Sequence, residues 1–137
     1  VLNRPPAAWK PPGFAAREWL LLNPTAGWKR KRWKAKSWIE VLRRLPDARP
    51  IVITSGGQDW QVAHAREIAE SLGERAHFLG GRTRLEEFLW LAAHARMVLG
   101  VDGAASHLAA AFGTRSLTLF LSTPEATGIS PRRDPSR

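Results

Sequence analysis

Apolar positions along this chain fall into short runs separated by stretches of helical spacing, and the alternation sets in only after residue 17. Residues 19–23, 51–54, 77–79, 97–101 and 117–121 have the length and apolar character of buried strands. The segments between them carry apolar residues three and four apart. Trp38, Val41, Leu42 and Leu45 form one such face, which Pro46 ends; Ser37 and Glu40 have capping-box spacing at its start. Val62, Ala65, Ile68, Ala69 and Leu72 form a second face, closed by Gly73. Leu85, Phe88, Leu89 and Ala92 form a third, opened by Thr83 and Glu86 at capping-box spacing. A fourth helix, of small residues, follows Asp102-Gly103 and runs through Ala111 to a stop at Gly113. Strand and helix in strict alternation predict an α/β fold: an open parallel sheet of about five or six strands with helices on both faces. In such sheets ligands sit beyond the carboxyl ends of the strands.

Residues 1–17 contain Pro5, Pro6, Pro11 and Pro12 and little periodicity, which predicts an extended arm or interdomain linker. The expected domain covers 18–127, with a tail over 128–137. The 137 residues suffice for one domain with its own core. Absence of cysteine excludes a disulfide framework, a thiolate zinc site and a thiol nucleophile. The apolar stretches 88–93 and 108–112 are too short to span a bilayer, and the expectation is a soluble domain. A formal charge of +9 and a pI near 11.4 point to an anionic partner: nucleic acid, a phosphorylated small molecule or an anionic membrane surface. Lys29, Arg30, Lys31, Arg32, Lys34 and Lys36 concentrate that charge in one stretch.

Three loops at the predicted carboxyl edge hold residues that can do chemistry. After the first strand, Asn23-Pro24-Thr25-Ala26-Gly27 makes a turn followed by Lys31-Arg32-Trp33, cations that face the rim where helix N-termini present free N–H groups, as a diphosphate cradle requires. Lys29, Arg30, Lys34 and Lys36 read as solvated surface, and Trp33 as a packing residue. After the second strand, Ser55-Gly56-Gly57 allows close approach of a ligand to the backbone. Asp59 there is either a ribose acceptor or an ordinary helix N-cap. After the fourth, Asp102-Gly103-Ala104-Ala105-Ser106-His107 opens a helix with side chains small enough to bare its first amides to a phosphate. His107 can donate to a phosphate or a sugar hydroxyl, or be a satisfied, partly buried histidine, and Asp102 can be an N-cap. His64, His77 and His94 read as structural or surface residues. Asp-x-Asp, His-Glu-x-x-His, Gly-x-Ser-x-Gly, Walker and Gly-x-Gly-x-x-Gly patterns are absent, which argues against several metal, hydrolase, NTPase and NAD chemistries.

The segment Asp102-Gly103-Ala104-Ala105-Ser106-His107-Leu108-Ala109-Ala110-Ala111-Phe112-Gly113-Thr114 resembles the Asp-(Ser/Thr)-Gly-x-x-His-Leu-Ala-Ala-Ala-x-Gly-Thr signature of glycosyltransferase family 9, the lipopolysaccharide heptosyltransferases. Lys31-Arg32-Trp33 is similar to that family's Lys-x-Trp, Thr54-Ser55-Gly56-Gly57 to its second-strand glycine turn, and Gly80-Gly81-Arg82-Thr83-Arg84-Leu85 to its Gly-Lys-Thr-Ser-Leu stretch. Order and spacing agree over residues 18–127. The resemblance implies one Rossmann-like half of a GT-B glycosyltransferase, the C-terminal half that binds a nucleotide-sugar donor, usually ADP-heptose, with no separate cofactor and no metal.

It further implies that Lys31 neutralises the diphosphate leaving group, that Thr25 and Ala26 adjoin it, and that Asp59 meets the ribose. Thr83 would line the base pocket, and Asp102, Gly103, Ala104 and His107 would hold sugar and phosphates. Transfer to the lipopolysaccharide core would invert the anomeric centre and depend on an N-terminal acceptor domain, absent from this chain, that supplies the carboxylate base. The setting implied is cytoplasmic, with peripheral contact to the inner membrane. Three positions depart from the pattern: Gly103 replaces a hydroxyl residue, Ala104 a glycine, and Leu121-Ser122 the usual Gly-Pro. A donor domain for another nucleotide sugar, and a nucleic-acid module using Lys29 to Lys36 with Trp28 and Trp33 interleaved, are the competing readings.

Overall fold

The computed structural model of the chain describes residues 18–121. The expected arm at 1–17, the last residues of the expected domain and the tail lie outside the described residues. Within them, strands β1 (Leu20–Asn23), β2 (Ile51–Ile53), β3 (Ala76–Phe78), β4 (Met97–Val101) and β5 (Ser116–Leu119) alternate with helices α1 (Ala35–Arg44), α2 (Asp59–Leu72), α3 (Leu85–His94) and α4 (Ala104–Phe112). The five strands form one parallel sheet in the order β3-β2-β1-β4-β5. The expected open α/β sheet is thus realised with five strands among the described residues.

Successive side chains of a strand point to opposite faces, and residues 19–22 are apolar throughout, so the central strand feeds both faces at once. Leu20 and Leu22 join Ile51, Ile53, Leu99 and Val101 beneath Trp38 and Leu42 of α1 and Ala65 and Ile68 of α2. Trp19 and Leu21 join Val52 and Val98 beneath Trp90, Leu91 and Ala92 of α3 and Ala105 and Ala109 of α4. Each buried large side chain stabilises the fold by about 1.5–3 kcal/mol relative to leaving it in water. At the carboxyl end of α4, Gly113 adopts φ 73°, a left-handed cap that suits glycine, and Thr114 Oγ1 then donates to the Ala92 carbonyl at 2.7 Å, tying α4 to α3.

Several local expectations are corrected. Helix α1 begins at Ala35 with Lys34 as its cap, so Ser37 lies inside the first turn and makes no capping box; Glu40 instead pairs with Arg44 one turn later. Val41 is 39% exposed because Trp38 and Leu42, four residues apart, occupy the centre of the buried stripe. Helix α3 is capped by Arg84 rather than Thr83, and Arg84 pairs with Glu87, so the Thr83–Glu86 box does not form either. Leu85, expected in the buried stripe, is 70% exposed at the first turn of α3. The capping box that does form is Gln58 with Gln61 at the start of α2.

Candidate functional site

The chain builds β1, β2 and β3 outward in one direction and then returns to place β4 on the other side of β1. The crevice between the carboxyl ends of β1 and β4 is therefore the point where strand order reverses, the place at which open sheets bind ligands. Asn23 and Gly100 stand opposite each other there. A Cβ on Gly100 would lie 2.5 Å from the Asn23 carbonyl oxygen, so the absence of a side chain lets the strands close at this point.

Loops leaving four strands converge on a cavity of about 340 Å³ at this edge. The β1 loop contributes Asn23, Thr25, Ala26 and Gly27, and the β2 loop with α2 contributes Ser55, Gly56 and Gln61. From the β3 loop and α3 come Thr83, Arg84, Leu85 and Phe88; the start of α4 supplies Gly103 and Ala104.

The electrostatics of this cavity favour an anion. Helix α4 has Gly103 at its N-cap and no side-chain cap, so its leading amides keep their positive end toward the cavity. Ser106, within the first turn, donates to the Gly103 carbonyl at 2.8 Å rather than capping an amide. Thr25 lines the same cavity, and its buried hydroxyl has no hydrogen-bond partner in the protein. A buried hydroxyl is normally satisfied, which makes this one a ready donor or acceptor for a ligand.

Lys31 ends a 3-10 turn over Lys29–Lys31, and its Nζ donates to Asp102 Oδ2 at 2.9 Å. The two side chains are 19% and 3% exposed, so a partly hydrated ammonium meets a carboxylate almost withdrawn from water. Because Asp102 directly precedes Gly103, this pair carries the cation of the β1 loop to the mouth of α4. The side chain of Asp102 consequently holds Lys31 instead of capping the helix.

The structure brings Thr25, Ala26, Thr83, Gly103 and Ala104 to one cavity and ties Lys31 to Asp102 beside it. Asp59 and His107 are exposed in the first turns of α2 and α4 and are not among the residues lining it. Trp33 packs against the core with its ring edge-on to Trp38 at 5.1 Å, as expected of a packing residue. Gln61 and Arg84 carried no role in the sequence reading of this site, Leu85 and Phe88 were read there as core, and all four line the cavity. A signal existed for Gln61 in its spacing of three from Gln58, and for Leu85 in its place just past the Gly80-Gly81 turn.

His64, read as structural, is buried in α2. Burial, followed by the charge of Arg32, lowers its pKa below 6.5, against weaker raising effects of Glu67 and of a hydrogen bond with the Trp33 backbone. A histidine whose folded pKa is depressed stabilises the fold above its unfolded pKa and loses that contribution as pH falls through the folded value. Melting curves should thus show stability declining as pH drops below 6.5, and His64→Leu should flatten that part of the profile. An unchanged profile in the variant would assign the decline to other groups.

The family model for glycosyltransferase family 9 (heptosyltransferase) matches residues 4–132. The chain belongs to that family. As a family 9 chain it superposes on E. coli heptosyltransferase WaaC with ADP at a TM-score of 0.71 and 25% identity, covering 80% of this chain and 33% of that one. WaaC with ADP-2-deoxy-2-fluoro heptose gives 0.70 and 25% over 80% of this chain and 34% of that one. The glycosyl transferase family 9 from Veillonella parvula shares the fold at 0.71 with 15% identity, over 85% of this chain and 33% of that one. The family 9 chain thus spans about a third of the length of these solved structures. No curated protein sequence matches it. The Rossmann-like character expected for its sheet is that of the family 9 structures. Among the described residues, no helix is long and apolar enough to cross a membrane.

Proposed function

We propose that this chain is the donor-binding part of a heptosyltransferase-like enzyme that transfers heptose from ADP-heptose to the lipopolysaccharide inner core with inversion. One observation carries the reading: at the strand-order reversal, the uncapped start of α4 and the unpartnered Thr25 hydroxyl line a single cavity, and the Lys31–Asp102 pair lies beside it, next to Gly103. Support for the adenine nucleotide comes from WaaC, solved with ADP and with an ADP-heptose analogue.

In the transfer, an acceptor oxygen attacks the anomeric carbon while the bond from that carbon to the β-phosphate oxygen breaks. The electron pair leaves with ADP, and the proton of the acceptor hydroxyl passes to a carboxylate base in the acceptor-binding part of the enzyme. Negative charge grows on the departing diphosphate, so donors already aimed at it stabilise the transition state more than the ground state. Lys31 and the first amides of α4 at Gly103 and Ala104 have that role here, with Thr25 and Ala26 beside them. In this reading Thr83 would border the base, Asp59 would reach the ribose and His107 the sugar from outside the cavity lining, and Asp102 would act on sugar and phosphates beside the Lys31 that it holds. No cofactor or metal enters this scheme.

The acceptor is lipopolysaccharide core held by a separate N-terminal domain, and the setting is the cytoplasmic face of the inner membrane. The exposed cations Lys29, Arg30, Arg32, Lys34 and Lys36 would face its anionic head groups. The nucleic-acid reading loses half of its aromatic interleaving, because Trp33 is committed to the core.

Thermal melts with ADP, UDP and NAD test the proposal. ADP at a hundred times its Kd should add about 2.7 kcal/mol of stability, with UDP and NAD adding less. Melting temperatures indifferent to every adenine nucleotide would overturn it.

A further inference from the structure

Gln61 is a buried amide at the third position of α2, and both ends of its side chain are engaged. Its Oε1 accepts from the Gln58 backbone N–H at 3.1 Å, which closes the capping box of α2. Its Nε2 donates to the Ala26 carbonyl oxygen at 2.9 Å, in the loop after β1. The last ladder bond joining these two chain segments is Thr54 N–H to the Leu22 carbonyl, so the Gln61 amide continues the connection past the end of the sheet and into the cavity wall. Gly56 makes room for it: a Cβ there would stand 2.2 Å from Gln61 Oε1.

The bond fixes the orientation of one peptide group. The peptide linking Ala26 to Gly27 is planar and trans, so its C=O and N–H point in opposite directions. With the carbonyl held by Gln61, the Gly27 N–H is directed away from α2. Ala26 and Gly27 both line the cavity, and a carbonyl oxygen turned toward a diphosphate would repel it where an N–H attracts it.

We propose that Gln61 is a positioning residue that locks the 26–27 peptide with its N–H, rather than its carbonyl oxygen, available to the donor's diphosphate. The inference rests on the donor-site reading above, and it assigns Gln61 no contact with the ligand.

Glutamate and methionine at this position separate the two jobs of the side chain. Gln61→Glu keeps an oxygen for the Gln58 N–H, but when ionised it offers no donor to the Ala26 carbonyl. Gln61→Met keeps the length and loses both. Binding of ADP and of inorganic pyrophosphate to the full chain is measured by calorimetry at about pH 8 and about pH 5, each normalised to the unsubstituted protein at the same pH. Gln61→Glu should bind both ligands at least about tenfold more weakly at the higher pH and recover part of that loss at the lower, because burial beside the Ala26 carbonyl raises the carboxyl's pKa and its protonated form again donates to Ala26. Gln61→Met should be weakened at both values.

A helix cap alone would predict normal affinity for Gln61→Glu throughout, and that result overturns the proposal. Should a variant melt too low to titrate, the Gly27 amide signal of the other, followed on adding pyrophosphate, decides: a shift as large as in the unsubstituted protein counts against the lock. If the unsubstituted chain binds pyrophosphate and not ADP, the nucleotide reading fails while the role of Gln61 is still measured. Binding of neither overturns both.

Discussion

Replacing Lys31 with methionine is expected to weaken ADP binding by roughly 10- to 100-fold and to lower the melting temperature at the same time. Under the proposed role of Lys31, the affinity loss follows from removing a charge-assisted contact to a diphosphate, worth about 1.5–3 kcal/mol. The stability loss has a separate origin. Asp102 is 2% exposed and its carboxylate is bonded by Lys31 at 2.9 Å, so the variant strands a buried anion. Removing one member of a fully buried pair costs about 3–5 kcal/mol; the lysine end of this one is partly hydrated, which brings the expected cost to about 1–3 kcal/mol. For a domain of this size that is about 3–5 °C per kcal/mol. Adding Asp102→Asn to the variant removes the stranded charge and should restore the melting temperature without restoring affinity. Melts and ADP titrations on the single and double variants read the two effects apart. If stability and affinity return together, Lys31 serves the fold and not the phosphates.

Trp19→Ala should be the most damaging single change in the core. Trp19 is fully buried just before β1 and stacks on Trp90 with centroids 5.4 Å apart and planes 15° from parallel. Truncating a buried tryptophan costs about 3–5 kcal/mol, a large share of the 5–15 kcal/mol typical of a domain. The melting temperature should fall by more than about 9 °C. Trp90→Ala should cost a similar amount, and the double variant less than the sum, because the two rings fill one space. Saturating ADP should recover part of the loss by mass action, since the binding loops lie beyond the strand ends and not in the damaged layer. A loss under about 1 kcal/mol would mean that the layer beneath α3 and α4 closes over the gap, contrary to the close packing of these rings.

Element order was legible because apolar patterning is a local signal: the runs at 51–54 and 97–101 are too short for helices and carry β-branched residues between turn signals, as strands buried on both faces do, and Val62, Ala65, Ile68 and Ala69 have the spacing of a helix resting on them. Helix starts were less legible. Ser37 and Thr83 satisfy the capping pattern, yet the first turns begin at Ala35 and Leu85, with Lys34 and Arg84 at the caps. Gln58 and Gln61, chemically weaker candidates, form the box because the β2 loop brings them together and Gly56 leaves them space. The cavity was half legible. Thr25, Ala26, Thr83, Gly103 and Ala104 follow strands and could be placed at one edge by topology alone. The Lys31–Asp102 bond and the reach of Gln61 to Ala26 join residues far apart in sequence, and no spacing rule encodes a distance across the sheet.

The seam between β1 and β4 separates two parts of the chain that meet late in sequence, with α1, β2, α2, β3 and α3 synthesised between them. Closing that loop carries an entropic cost that the contacts across the seam must offset. A phosphate-bearing guest that touched both banks of that seam would act as a latch, adding its binding free energy to the closed arrangement, visible as slowed amide exchange along β1 and β4.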